Sequence, residues 1–191
     1  VSSQRRRKMD QGNDFLKDQI HRAVLQHRAF LRALENHESQ ADDARFRDLC
    51  TRYIATMQEH QAMLENYESE LGPPSASVLR RTRDATVHGS RDLGSRDFGS
   101  RDFADTAIES DFQRLVRDLV MSAQAEDAFR IFREAGRALD LRHLAELGEK
   151  GEREHDSYKR DANRLAQQMF VEGARDDGRR GANRELQDLA F

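Results

Sequence analysis

The sequence predicts an all-α fold, a four-helix bundle of two antiparallel hairpins joined by a long crossover. Three observations carry this reading. Apolar residues recur at alternating spacings of four and three along four long segments, the period of one buried helical face. The chain has only two prolines, and they stand together directly after Gly72, where a helix is expected to stop. Finally, roughly thirty residues separate the second and third segments, far more than a simple up-and-down bundle needs.

The first helix is expected from Asp14 to Ser39, with Ile20, Val24, His27, Leu31 and Leu34 on its buried stripe. Residues 1–13, including Arg5-Arg6-Arg7-Lys8, read as a disordered basic tail. A short break at Gln40–Asp43, with Asp42 or Asp43 as the cap, leads into the second helix. Its stripe is Phe46, Leu49, Tyr53, Met57, His60, Leu64, Tyr67 and Leu71. Gly72-Pro73-Pro74 ends it, because glycine supplies a left-handed cap and proline cannot continue a helix.

Residues 73–105 form the crossover. It holds three copies of a five-residue unit, Gly-Ser-Arg-Asp followed by Leu93, Phe98 or Phe103, spanning 89–103. A glycine in every fifth place disfavours helix, and the repeat is too short and too few in number for a solenoid. It reads as a soluble connection, with docking of a protein partner as the alternative. The third helix is expected from Thr106 to Leu139, with Phe112, Leu115, Leu119, Ser122 or Ala123, Glu126 and Phe129 inward. The fourth runs from Leu141 to Ala174, with Leu144, Gly148, Gly151, His155, Tyr158, Ala162, Leu165 and Met169 inward. Gly148 and Gly151 weaken that helix unless something approaches their backbone closely. The bundle domain is thus 14–174, and 175–191 reads as a loosely ordered tail.

Composition fits amphipathic helices: 37% of residues are hydrophobic and 35% charged, with no tryptophan. Lys+Arg (32) nearly balances Asp+Glu (35), so nothing argues for nucleic acid or an acidic membrane as partner. Cys50 is the sole cysteine, and no apolar run reaches the ~20 residues of a membrane span. The expectation is a soluble cytoplasmic protein. No nucleophile elbow, phosphate-binding glycine loop or CxxC is present, so no catalytic residue is assigned.

Polar residues on a buried stripe are costly unless paired or bound to metal. Four places break the pattern: His27, His60, Glu126, and Glu152 with His155 in Glu152-Arg153-Glu154-His155. Positions i and i+3 share a helix face, so Glu152 and His155 can converge. Glu126 and Glu152 lie at similar distances from the turn near 139–140 and should be level and facing. His27, counted from a turn near 41, falls level with Thr56-Met57 rather than with His60. These five residues are the candidate metal ligands: His60, Glu126, Glu152, His155 and His27. Met57 stands where a second Glu-x-x-His pair would need its carboxylate, and it reads as core filler.

Two helical hairpins with one long crossover match the ferritin-like arrangement, whose members hold two metal ions between Glu-x-x-His pairs. More specifically, His60-Gln61-Ala62-Met63-Leu64-Glu65, with Tyr67 and Leu71-Gly72, resembles the end of the second helix in YciE-like ferritin-like proteins. Ala123-Gln124-Ala125-Glu126 resembles their third helix, and Glu152-x-x-His155 with Asn163-Arg164-Leu165-Ala166 their fourth. The likeness covers about residues 15–72 and 106–170. It implies a stress-associated, commonly dimeric bundle with a dinuclear iron or manganese site at His60, Glu126, Glu152 and His155. Met57 and the lack of a first-helix glutamate depart from that pattern. The functional expectation is a metal-binding bundle with a partly degenerate site. The alternative is a metal-free structural or interaction protein that has lost it.

Overall fold

The computed structural model describes the backbone of residues 2–74 and 109–188, and side chains within 14–74 and 109–175. Among the described residues there are four helices: α1 (Ser2–Gln40), α2 (Ala44–Leu71), α3 (Asp111–Ala138) and α4 (Arg142–Asp188). No strand occurs among the described residues, and the protein is all-α. The crossover repeat at 89–103, with Leu93, Phe98 and Phe103, lies outside the described residues.

The expected helices are all present, with shifted ends. α1 begins at Ser2, well before Asp14. Its first turns carry Gln4, Arg5, Arg6, Arg7, Lys8 and Met9, good helix formers that an apolar-stripe criterion overlooks. For the same reason α4 runs past 174 to Asp188. α3 starts at Asp111 rather than Thr106, because Ser110 caps it. The Ser110 Oγ accepts from the Gln113 N–H, and the Gln113 side chain accepts from the Ser110 N–H. Asp43 caps α2, its carboxylate accepting from the backbone N–H of Arg45 at 2.8 Å. Gly72 takes the left-handed conformation expected after α2, with φ of 83°. The α3–α4 turn falls at Leu139-Asp140, where Asp140 is left-handed with φ of 56°. The Leu141 N–H closes back on the Gly136 carbonyl at 2.8 Å, completing a Schellman cap.

The chain divides into two compact units. The first comprises Val1–Ala29 and Gln58–Glu109. In it, α1 and α2 lie antiparallel, with Ile20, Ala23 and Val24 buried from α1 and Leu64 from α2. The pairs His21–Glu68 and Arg28–Glu65 tie the two helices together. The second unit comprises Phe30–Met57 and Ser110–Phe191 and is a four-helix bundle in its own right. Its core draws on every helix: Phe30, Leu31 and Leu34; Phe46, Leu49, Cys50 and Met57; Leu115; and Tyr158, Ala162 and Leu165. Met57, fully buried there, is core filler as its sequence context implied.

Glycine explains how α3 and α4 approach so closely. A Cβ at Gly148 would sit 2.5 Å from the Phe129 carbonyl oxygen, and one at Gly151 would strike the Phe129 ring. At Gly136 the obstacle is the backbone of Ala145. The substitution Gly148→Ala should therefore force the helices apart and lower stability by about 2–3 kcal/mol. Urea unfolding checks this; unchanged stability would show that the pair is more loosely packed.

Candidate metal centre

In the second unit, the carboxylates expected to be level and facing share a partner. Arg130 on α3 donates through Nη2 to Glu126 at 2.6 Å and through Nε to Glu152 at 2.9 Å. Lys159 also binds Glu126, and Arg133 also binds Glu152. Glu126 is buried and Glu152 half-buried. Arg130 and Arg133 also pair with Asp127 and Glu134, and between them the three cations engage both Glu126 and Glu152. This donor arrangement does not fit a carboxylate-rich dinuclear iron or manganese centre, which relies on uncompensated anionic oxygens. The i,i+3 spacing does not bring Glu152 and His155 into one contact set. Glu152 turns to the arginines, while the His155 Nδ1 meets the Ser122 Oγ at 3.0 Å. The His155 ring stacks on Phe129 with centroids 5.4 Å apart and packs on Phe30 at 5.6 Å.

The first unit holds the other two candidates. His27 and His60 are 2% and 0% exposed, with ring centroids 5.9 Å apart. Each offers a ring nitrogen within 4.8 Å of the other's. Counting residues from the turn puts His27 level with Thr56-Met57, and the side chains bring it beside His60 instead. Helical side chains lean toward their own N-terminus. On antiparallel helices the two leans are opposed, so His27 reaches away from the turn and His60 reaches toward it.

A hydrogen-bond chain fixes the His27 tautomer. The Gln61 Nε2 donates to the Glu65 carboxylate at 2.6 Å and lies 3.4 Å from the Val24 carbonyl. Both neighbours are acceptors, so the amide orientation is set and the Gln61 Oε1 faces His27. The His27 Nδ1–H then donates to that oxygen at 3.1 Å, leaving the lone pair on Nε2. Arg28 donates to the same Glu65 oxygen at 2.6 Å, and the two donors hold that carboxyl below its usual range. Burial pushes the His27 imidazole down to about 4; the Gln61 bond opposes that shift, and the nearby His60 adds to it.

Several polar residues escaped the sequence reading. The His37 Nδ1–H donates to the buried Asp118 carboxylate at 2.8 Å, and the Arg117 guanidinium donates toward the His37 Nε2 at 3.3 Å. Each extends its stripe by the helical step, His37 three residues after Leu34 and Asp118 three after Leu115, so a signal existed. Tyr158 is fully buried against Phe30 and Tyr53, and burial raises its phenol well above its usual range. Among the described residues its hydroxyl has no hydrogen-bond partner.

No protein-family model, no curated protein and no solved structure matches this chain.

Two expectations follow. Tyr158→Phe removes an unsatisfied hydroxyl and should raise stability by about 1 kcal/mol; a lower melting temperature would mean that the hydroxyl is satisfied. The second concerns pH in metal-stripped protein. From pH 6.5 to about 4 the unfolded chain protonates His27 while the folded chain resists. Stability should therefore be full above that window and fall as pH drops through it, by about 3 kcal/mol at most. Urea titrations across the window should show the slope reduced in His27→Leu.

Proposed function

We propose that this protein is a ferritin-like helical bundle that binds a transition-metal ion, with His27 and His60 as protein ligands. One observation carries the reading: two buried imidazoles face each other across α1 and α2, and one has its lone-pair nitrogen set by an outer hydrogen bond. Metal-binding histidines are held in this way, their second nitrogen donating to a carbonyl or carboxylate that fixes ring and tautomer. Here Gln61 supplies that acceptor, and Glu65 with Arg28 anchors Gln61. Burial favours an uncharged His27 at neutral pH, the form that can donate to a metal. Bound metal would supply Lewis acidity or a redox centre. The chain's own residues orient the imidazoles and keep bulk water from them.

A specific observation favours a second reading, in which the bundle is metal-free and structural. In the network of Glu126, Glu152, Arg130, Arg133 and Lys159, both carboxylates are engaged by protein cations without a metal ion. A buried polar network with every member satisfied can specify packing by itself.

Elemental analysis separates the two. Protein purified without chelator and exposed to divalent metals should retain about one ion per chain, lost in the His27→Ala/His60→Ala variant. Circular dichroism should show that variant to be helical. Less than about a tenth of an ion per chain in the wild type would favour the structural reading.

A further inference from the structure

Resting on the metal-binding reading above, we propose that the His27–His60 site takes a late, nitrogen-preferring divalent ion of the copper(II), nickel(II) and zinc(II) class, in preference to iron or manganese. The argument turns on which donors remain available. Among the described residues of the first unit, Glu65, linked to His27 through Gln61, and Glu68 on the same helix are both engaged. Glu65 accepts from Arg28 and Gln61, and Glu68 lies 2.5 Å from the His21 Nδ1. In the second unit Glu126 and Glu152 are held by Arg130, Lys159 and Arg133. What the His27–His60 pair itself presents to an ion is imidazole nitrogen.

Imidazole-only donor sets bind first-row divalent ions in an order rising from manganese and iron to nickel and copper, with zinc close behind. Manganese and iron gain most from anionic oxygen ligands, and the four glutamates named above are engaged by arginine, lysine, glutamine or histidine. The Gln61 amide sharpens the preference, because it presents the His27 Nε2 as a lone-pair donor in a fixed ring orientation. The nearest anion in that chain, Glu65, sits one link behind Gln61 and can offset the ion's charge without coordinating it. Gln61 is thus a positioning residue. Its loss should weaken metal affinity while leaving the order of ions intact.

The test uses the full chain, stripped of metal and titrated separately with zinc(II), nickel(II) and manganese(II), and anaerobically with iron(II). Zinc and nickel should bind at least about 100-fold more tightly than manganese or iron. His27→Gln and His60→Gln should each abolish the tight phase, and Gln61→Leu should weaken it about 10–100-fold. Electron paramagnetic resonance of the copper(II)-loaded wild type gives a readout that needs no variant: it should show nitrogen hyperfine structure from imidazole. Iron or manganese binding as tightly as zinc, and still lost in both histidine variants, would overturn the ion class while sustaining the metal-binding reading. Failure of every ion to bind would overturn both. Tight zinc binding unaffected by either histidine variant would overturn this site, as would copper signals lacking nitrogen coupling.

Discussion

Each polar side chain that the helical period carries into the interior has to be neutralised where it lands, and this constraint organises both units. An ionised group stripped of water costs several kcal/mol unless a partner repays it. The second unit meets the cost with charge: Arg130 bridges Glu126 and Glu152, while Lys159 and Arg133 complete the balance. The first unit meets it with a hydrogen-bond chain, passing from His27 through the Gln61 amide to the Glu65–Arg28 ion pair. The same need produces two different chemistries. One arrangement engages its carboxylates with cations, and the other sets two buried imidazoles side by side.

Backbone proximity sets the geometry of the charged network. Gly136, Gly148 and Gly151 let α3 and α4 approach until backbone meets backbone and the Phe129 ring lies against Gly151. At that spacing a side chain as short as glutamate on α4 can meet arginines rooted on α3. A wider gap would leave Glu152 in solvent and Glu126 short of partners. The glycines lower intrinsic helix stability by about 1 kcal/mol each, offset here by the packing they permit.

Much of the fold was legible because helical burial is periodic. The stripes from Ile20 to Leu34, Phe46 to Leu64 and Leu144 to Leu165 are buried where a 3.6-residue period puts them. Helix ends were less legible, because polar segments such as residues 2–13 can be helical without an apolar stripe. Ser110 and Gln113 have the spacing of a capping box, a local signal for the start of α3. For the candidate site, the sequence found the inward histidines and glutamates but not their partners. Arg130 lies on an exposed face, and nothing in its spacing says that its guanidinium folds back over two carboxylates. Gln61 adjoins His60 in sequence yet serves His27, a relation that exists only across two helices.

What the sequence by itself determined is which residues face inward: the all-α class, the turn at Leu139-Asp140, the Gly72 stop, and the burial of His27, His60, Glu126 and His155. These are local consequences of period and capping, decided within a few residues along the chain. Only the tertiary structure decided what each inward polar group meets. The His27–His60 register depended on opposed side-chain lean, the His27 tautomer on an amide from the facing helix, and the fate of Glu126 and Glu152 on cations a turn or a helix away. Hydrogen bonds and ion pairs form at about 3 Å through space, a separation that a linear pattern of residue types does not encode.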